Sequence, residues 1–233
     1  MSSNSERPGE RSLEGFLHRS LYHRQVAEKE EEFVINTLRP RQDRILEVGP
    51  GNGRLTRHLA IIARSLTVCD QDPRALEKTG ARVGPQHHIA YHALALERLQ
   101  QLPDYGHYDA VVAVRVVPHT ADWQDSLERL FAAARAGGWV IFDLWNRQSF
   151  VGLLMKIFPP REPRPVHRLT RREIRDAIHK LPGRLIATYR WGYPRFGPLH
   201  SDDLGALVAP GAAYSTLYAF QKHANNQGSL RSS

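Results

Sequence analysis

The sequence is poor in cysteine, in methionine and in long apolar runs, and each scarcity narrows what the chain can be. Its 233 residues hold one cysteine and two methionines. Cys69 has no second cysteine to pair with, which excludes an internal disulfide framework. It lies inside an apolar run and reads as a core filler, so the expected compartment is the cytoplasm. No apolar stretch approaches the ~20 residues that span a bilayer, and no stable membrane insertion is expected. Met1–Pro8 lacks the apolar core of a secretory signal. The twelve histidines show neither an H-E-x-x-H nor a cysteine-histidine spacing, so no metal site is expected. No internal repeat is evident.

What is present is ordinary for a globular α/β chain. Apolar residues make up 41% and charged residues 24%, and the length suits one α/β domain. The polar stretches 1–12 and 223–233 read as disordered tails around a single domain over 13–222. The net charge of +8 invites a nucleic-acid reading. Phosphate binding, however, needs basic residues clustered on one face and interleaved with aromatics. The arginines are instead spread, with one dense region at Arg161, Arg164, Arg168, Arg171, Arg172 and Arg175. That region reads first as a solvated helix face and loop, and second as a surface for an anionic acceptor or a membrane. No nucleic-acid partner is expected.

The most informative stretch is residues 44–54, Arg-Ile-Leu-Glu-Val-Gly-Pro-Gly-Asn-Gly-Arg. Ile45, Leu46 and Val48 predict a short buried strand, and Leu55 to Ile62 a helix. Between them Gly49, Gly51 and Gly53 alternate with Pro50 and Asn52. A glycine turn between strand and helix lets backbone approach a ligand closely and turns the first helical N–H groups toward it. The dinucleotide fingerprint is G-x-G-x-x-G. Here the spacing is G-x-G-x-G, preceded by Glu47, and an acid beside the turn suits a cationic ligand better than a pyrophosphate. A second apolar strand, Leu66 to Asp70, ends in an acid 17 residues after Gly53. That gap holds one helix and one turn, as a right-handed crossover requires. Asp70 at the strand tip is placed to accept from both ribose hydroxyls, with Gln71 beside it. Asp72 followed by Pro73 reads as a helix cap.

These motifs, with Tyr108 to Arg115 as a fourth strand, the Val116–Asp122 loop, and Gly137-Gly138 before a fifth strand to Asp143, resemble the class I S-adenosylmethionine-dependent methyltransferases. The resemblance covers residues 40–146. It implies a Rossmann-like seven-stranded sheet in the order 3-2-1-4-5-7-6 with helices on both faces. A helical cap over 13–39 and a lid or acceptor region over 146–182, inserted after strand 5, complete the expected domain, with Arg184–Trp191 and Tyr214–Gln221 as the closing antiparallel pair. It also implies S-adenosyl-L-methionine as the cofactor. Its site would comprise Glu47, Gly49, Pro50, Gly51, Asn52, Gly53, Asp70 and Gln71, with Val114 and Arg115 at the tip of strand 4. Tyr22 and Arg24 would join from the cap, Arg24 as a partner for the cofactor carboxylate. The family's acid after strand 3 is missing. His92, Glu97, or the backbone of Leu94, Ala95 and Leu96 would read the adenine instead.

Methyl transfer from a sulfonium asks mainly for positioning. A base helps where a hydroxyl must lose its proton, and His119, just past strand 4, is the expected one. Trp145, Phe150, His167 and Trp191 are expected to line an apolar acceptor pocket. The expected reaction is methylation of an oxygen or nitrogen of a small molecule, with a secondary metabolite as the acceptor. A membrane-associated quinone-pathway O-methyltransferase, docking through 150–172, is the alternative. A non-catalytic cofactor-binding protein is a further one. RNA methylation is disfavoured, because Asn146 is followed by Arg147 and not by the Pro-Pro-Tyr of that chemistry. A homodimer is left open.

Overall fold

The computed structural model describes residues 21–157, 166–192 and 212–224. The tail expected at 1–12, the tail expected at 223–233 from residue 225 on, the cap before Leu21, and Arg161 and Arg164 lie outside the described residues. In chain order the elements are α1 (Leu21–Leu38), β1 (Gln42–Val48), α2 (Thr56–Ile62), β2 (Ala63–Asp70), α3 (Pro73–Val83) and β3 (Ile89–Ala93). There follow β4 (Tyr108–Ala113), α4 (Trp123–Ala133), β5 (Ala134–Trp145), α5 (Phe150–Ile157), α6 (Arg171–Lys180), β6 (Gly183–Trp191) and β7 (Ser215–Lys222). Short 3-10 turns lie at Leu96–Gln101 and Val117–His119.

The seven strands form one sheet in the order β3-β2-β1-β4-β5-β7-β6, the order that the resemblance implies. β3, β2, β1, β4 and β5 run parallel, with Ile45 beside Leu66 on one side and Ala110 on the other. β7 then runs antiparallel between β5 and β6. Near-continuous apolar runs such as Leu66-Thr67-Val68-Cys69 are what a sheet covered on both faces requires.

Alternation along each strand divides the core into two layers. Leu46, Val111, Phe142 and Phe220 face α4 and the first 3-10 turn, packing on Leu99, Leu130 and Phe131. Ile45, Val68, Val112, Ile141 and Leu217 face the other way, against Val34 and Leu38 of α1, Leu59 of α2 and Leu76 of α3. The caps follow the sequence. The Asp72 side chain accepts from Arg74 N–H, with Pro73 opening α3. Asp122 accepts from the N–H groups of Gln124 and Asp125 at the start of α4. Thr170 and Glu173 form a reciprocal capping box on α6.

A third, smaller cluster lies at the carboxyl ends of the strands, where Val26 of α1 meets Trp145, Trp191 and Tyr214. The Val151 and Met155 face of α5 packs on it. Among the described residues no helix is long and apolar enough to cross a membrane.

Candidate active site

The strand order reverses between β1 and β4, and ligands of open α/β sheets bind outside the carboxyl ends of the strands at that point. A cleft of about 650 Å³ opens there. One wall is Gly49 and Gly51 of the turn after β1, with Asp70 and Gln71 after β2 and Leu94, Leu96 and Glu97 after β3. The other wall is Arg115, Val116, His119, Thr120 and Ala121 after β4, joined by His167.

The glycine turn is built for close approach. Gly49, Gly51 and Gly53 have φ of 69°, 61° and 75°, a region that costs a residue with a Cβ. A Cβ on Gly49 would collide with Val116 Cγ2, whereas one on Gly51 would meet nothing within 4 Å and would stand in the cleft. Gly51 thus leaves backbone bare toward the cleft. Two of the turn's N–H groups are already committed: Gly49 N–H donates to Cys69 O and Gly53 N–H to Pro50 O.

Glu47 departs from the charge argument drawn from the sequence. It is 3% exposed, lies beneath the turn and is absent from the cleft lining. Burial pushes its carboxyl up to about 7, against weaker opposing effects of the Thr56 hydroxyl and the Arg54 charge. Its Oε2 is buried without a hydrogen-bond partner. A carboxyl so placed lies under the turn and not in the wall that faces the cleft. Asp70 is in the lining as expected, and its Oδ1 accepts from Asp72 N–H at 2.9 Å.

The other candidates separate into two groups. Gln71, Leu96, Arg115, His119 and His167 line the cleft with Gly49, Gly51 and Asp70. Pro50, Asn52, Gly53, Ala95 and Val114 do not, although they flank residues that do. Gly53 packs instead against Thr79 of α3, and Val114 borders the α1 side of the core. Trp145 and Trp191 are buried in the aromatic cluster behind the β4 wall and not in the lining. Phe150 is half-exposed on the outer face of α5, because the Val151 and Met155 face is the one that packs inward. Tyr22 and Arg24 belong to the first turns of α1, but their side chains lie outside the described residues.

His119 closes the second 3-10 turn, its N–H bonded to Val116 O at 2.9 Å. Its ring meets Trp145 edge to face, 5.1 Å between centroids. His167 N–H donates to Pro118 O at 2.7 Å, and its Nε2 lies 3.2 Å from Ala121 O. Backbone contacts therefore hold the two imidazoles on the same wall.

A network of charges behind the wall had no place in the sequence reading. Glu30 of α1, 1% exposed, is bonded to Arg115 (Nη2 2.9 Å, Nε 3.3 Å) and to Arg54 Nη2 at 3.2 Å. Arg54 also meets Glu31 at 2.8 Å and the carbonyl of Ala27. Arg115 lies over the Trp191 ring, 5.5 Å from its centroid. Asp143, fully buried on β5, accepts from Arg115 N–H at 2.6 Å and Trp145 Nε1–H at 2.7 Å, and burial pushes its carboxyl up to about 6. Among the described residues no cluster of histidine, cysteine and carboxylate could hold a metal ion.

Comparison with known proteins agrees with this geometry. Residues 46–140 match the family model described as a methyltransferase domain. The ubiquinone biosynthesis O-methyltransferase of Bordetella bronchiseptica (strain RB50) is 30% identical over 107 residues, 45% of this chain and 43% of that protein. That of Chromobacterium violaceum is 29% identical over 118 residues, 48% of each. The match thus spans less than half the length of these curated relatives. Among solved structures, the N-methyltransferase NodS of Bradyrhizobium japonicum WM9 in complex with S-adenosyl-L-homocysteine is similar with a TM-score of 0.62. It is 15% identical, over 88% of this chain and 90% of that one. The magnesium protoporphyrin IX methyltransferase of Synechocystis PCC 6803 gives 0.61 at 14% identity, over 86% and 83%. At such identities the likeness is one of fold. Residues 46–140 thus carry a match to a methyltransferase domain, on this sheet order and with this glycine turn.

Proposed function

We propose that the chain transfers the methyl group of S-adenosyl-L-methionine to an oxygen or nitrogen of a small-molecule acceptor, with a hydroxyl the favoured atom. The observation that carries this reading is the cleft itself, which sets Gly51 and Asp70 on one wall and His119 and His167 on the other. The bare backbone at Gly51 and the carboxylate of Asp70 suit a nucleoside with a flexible chain. When bound, that cofactor supplies an activated methyl on a sulfonium. Asp70 would accept from the ribose hydroxyls, and Leu94, Leu96 and Glu97 would flank the base. His119 would take the proton of the acceptor hydroxyl on a ring nitrogen as the new bond to oxygen forms. Placement of acceptor and donor supplies the rest. The oxygen preference is supported by the names of the curated relatives, which are O-methyltransferases.

Calorimetric titration with S-adenosyl-L-homocysteine and with NAD tests the cofactor assignment, and binding of NAD alone would sink it. A panel of phenolic, polyketide-like and amine metabolites with radiolabelled cofactor tests the acceptor class. Methylation of RNA or protein with none of any metabolite would overturn it.

A second reading, a quinone-pathway O-methyltransferase working at a membrane surface, is favoured by one observation besides the relatives' names. Phe150, Leu153 and Ile157 of α5 are about half to two-thirds exposed on one helix face, beside Lys156. Cosedimentation with anionic vesicles that is lost in Leu153→Glu would support it. Absence of vesicle binding would remove it.

A further inference from the structure

The tip of β4 holds a backbone conformation that an arginine does not adopt readily. Arg115 has φ of +60°, the one non-glycine residue with positive φ among the described residues. Such conformations persist where the surroundings over-determine them. Here the determining group is the Asp143 carboxylate. Its Oδ1 accepts from Arg115 N–H at 2.6 Å, and its Oδ2 from Trp145 Nε1–H at 2.7 Å and from Ser215 Oγ–H at 3.4 Å. One buried side chain therefore joins the tip of β4, the end of β5 and the start of β7.

Both strong bonds lead to the cleft, although Asp143 itself does not line it. Through Arg115, the turn places Val116, whose Cγ2 fills the space beside the bare Cα of Gly49. It also starts the 3-10 turn that ends in His119. Through Trp145, it fixes the indole that meets the His119 ring edge to face at 85°. Two N–H donors and a hydroxyl converge on this point, so an acceptor-only group is required. An amide would aim its own N–H groups at one of the donors, and an apolar residue would strand both.

We propose that Asp143 is a positioning residue of the cleft, whose carboxylate holds the left-handed Arg115 turn and the Trp145 indole and thereby sets Val116 against Gly49 and the face that His119 presents. The Val116 arm bears on cofactor binding and rests on the methyltransferase reading. The His119 arm does not depend on it.

The test compares Asp143→Asn, Trp145→Phe and Ser215→Ala with the parent. Three quantities are read: the thermal midpoint, the imidazole NMR signals of His119 (assigned with His119→Gln), and the affinity for S-adenosyl-L-homocysteine by calorimetry. Asp143→Asn is expected to move the His119 signals and to weaken the ligand tenfold or more. Trp145→Phe, which keeps an aromatic ring but loses the N–H together with part of the indole, is expected to move the His119 signals with affinity changed less than threefold. Ser215→Ala, losing only the 3.4 Å bond, is expected to leave both unchanged whatever its thermal midpoint. Should Asp143→Asn fail to fold, unmoved His119 signals in Trp145→Phe still overturn the His119 arm. Unmoved His119 signals in Trp145→Phe, or a folded Asp143→Asn with only a lower midpoint, would make Asp143 a clamp of the sheet and overturn the proposal. If the parent binds no S-adenosyl-L-homocysteine, the methyltransferase reading falls, and the His119 signals still decide the positioning role.

Discussion

Arg115 Nη2 lies 2.9 Å from Glu30 Oε2, across 85 residues of chain, and Arg54 Nη2 meets the same oxygen at 3.2 Å. One carboxylate of α1 thereby bridges two guanidinium groups, that of the residue after the glycine turn and that of the residue at the tip of β4. Burial raises the Glu30 pKa and the two arginines lower it, so the pair stands or falls together.

Removing the shared anion takes from Arg115 its carboxylate and leaves Arg54 with Glu31, and breaking a buried pair costs more than the pair itself contributes. Glu30→Ala is expected to destabilise the chain by about 3 kcal/mol in chemical denaturation. Glu32→Ala, which breaks only the exposed pair with Lys29, is expected to cost less than ~1 kcal/mol. Equal losses in the two variants would show that Glu30 is not held as described.

Asp70 faces the cleft from a strand tip and packs against no core. Asp70→Ala should weaken S-adenosyl-L-homocysteine binding by about 1.5–3 kcal/mol, the range for hydrogen bonds to a charged group, with the fold kept and only the exposed bond to Asp72 N–H lost. Parent-like affinity would show that the ribose is held elsewhere.

Glu47 binds its proton more tightly in the folded chain, at about 7 against an ordinary 4.5. Its contribution to stability is therefore fully present below about 4.5 and is lost as pH rises through about 7. Asp143, at about 6 against 3.8, acts in the same sense over a lower window. Glu47→Gln should equal the parent near pH 4 and exceed it by up to about 3 kcal/mol at pH 8. Parallel stability curves from pH 4 to 8 would mean that Glu47 stays ionised with a partner.

His119→Ala is expected to lower turnover about a hundredfold on a hydroxyl acceptor, with the affinity for S-adenosyl-L-homocysteine unchanged. The rate on a neutral amine acceptor should suffer far less, since proximity alone can carry that reaction. Undiminished turnover on the hydroxyl would leave His119 a structural role only.

Where chemistry depends on backbone, the sequence was readable. Gly49, Gly51 and Gly53 mark positive φ, Asp72-Pro73 marks a helix start, and Asp70 marks the end of β2. Spacing within about 30 residues was enough for each. Side-chain direction was harder to read. Glu47 looked like a charge beside the turn, yet strand alternation turns it under the turn into a dry site. Trp145 and Trp191 looked like pocket walls, but they pack on Tyr214 and Val26 behind that wall. Glu30 was hidden in the run Glu28 to Glu32, which reads as a solvated face. The signal was nevertheless there, because Val26, Glu30, Val34 and Leu38 recur every four residues and all four are buried. An acid on such a stripe needs a buried cation. Nothing local names Arg54 and Arg115 as those cations, because the sheet order brings them there.

The position of β7 has a consequence for synthesis. Residues 215–222 are the only described segment that pairs with either the outer edge of β5 or with β6. While a ribosome is still making them, no other described segment covers the edge of β5 from Trp139 to Trp145 or pairs with β6. An apolar edge of that length is a template for pairing with other chains. The parallel half of the sheet can assemble on the nascent chain, but the edge beside Asp143 stays open until Ser215 emerges. A chaperone acting on this protein would be needed latest at that edge, and chains stopped before residue 215 would aggregate through it.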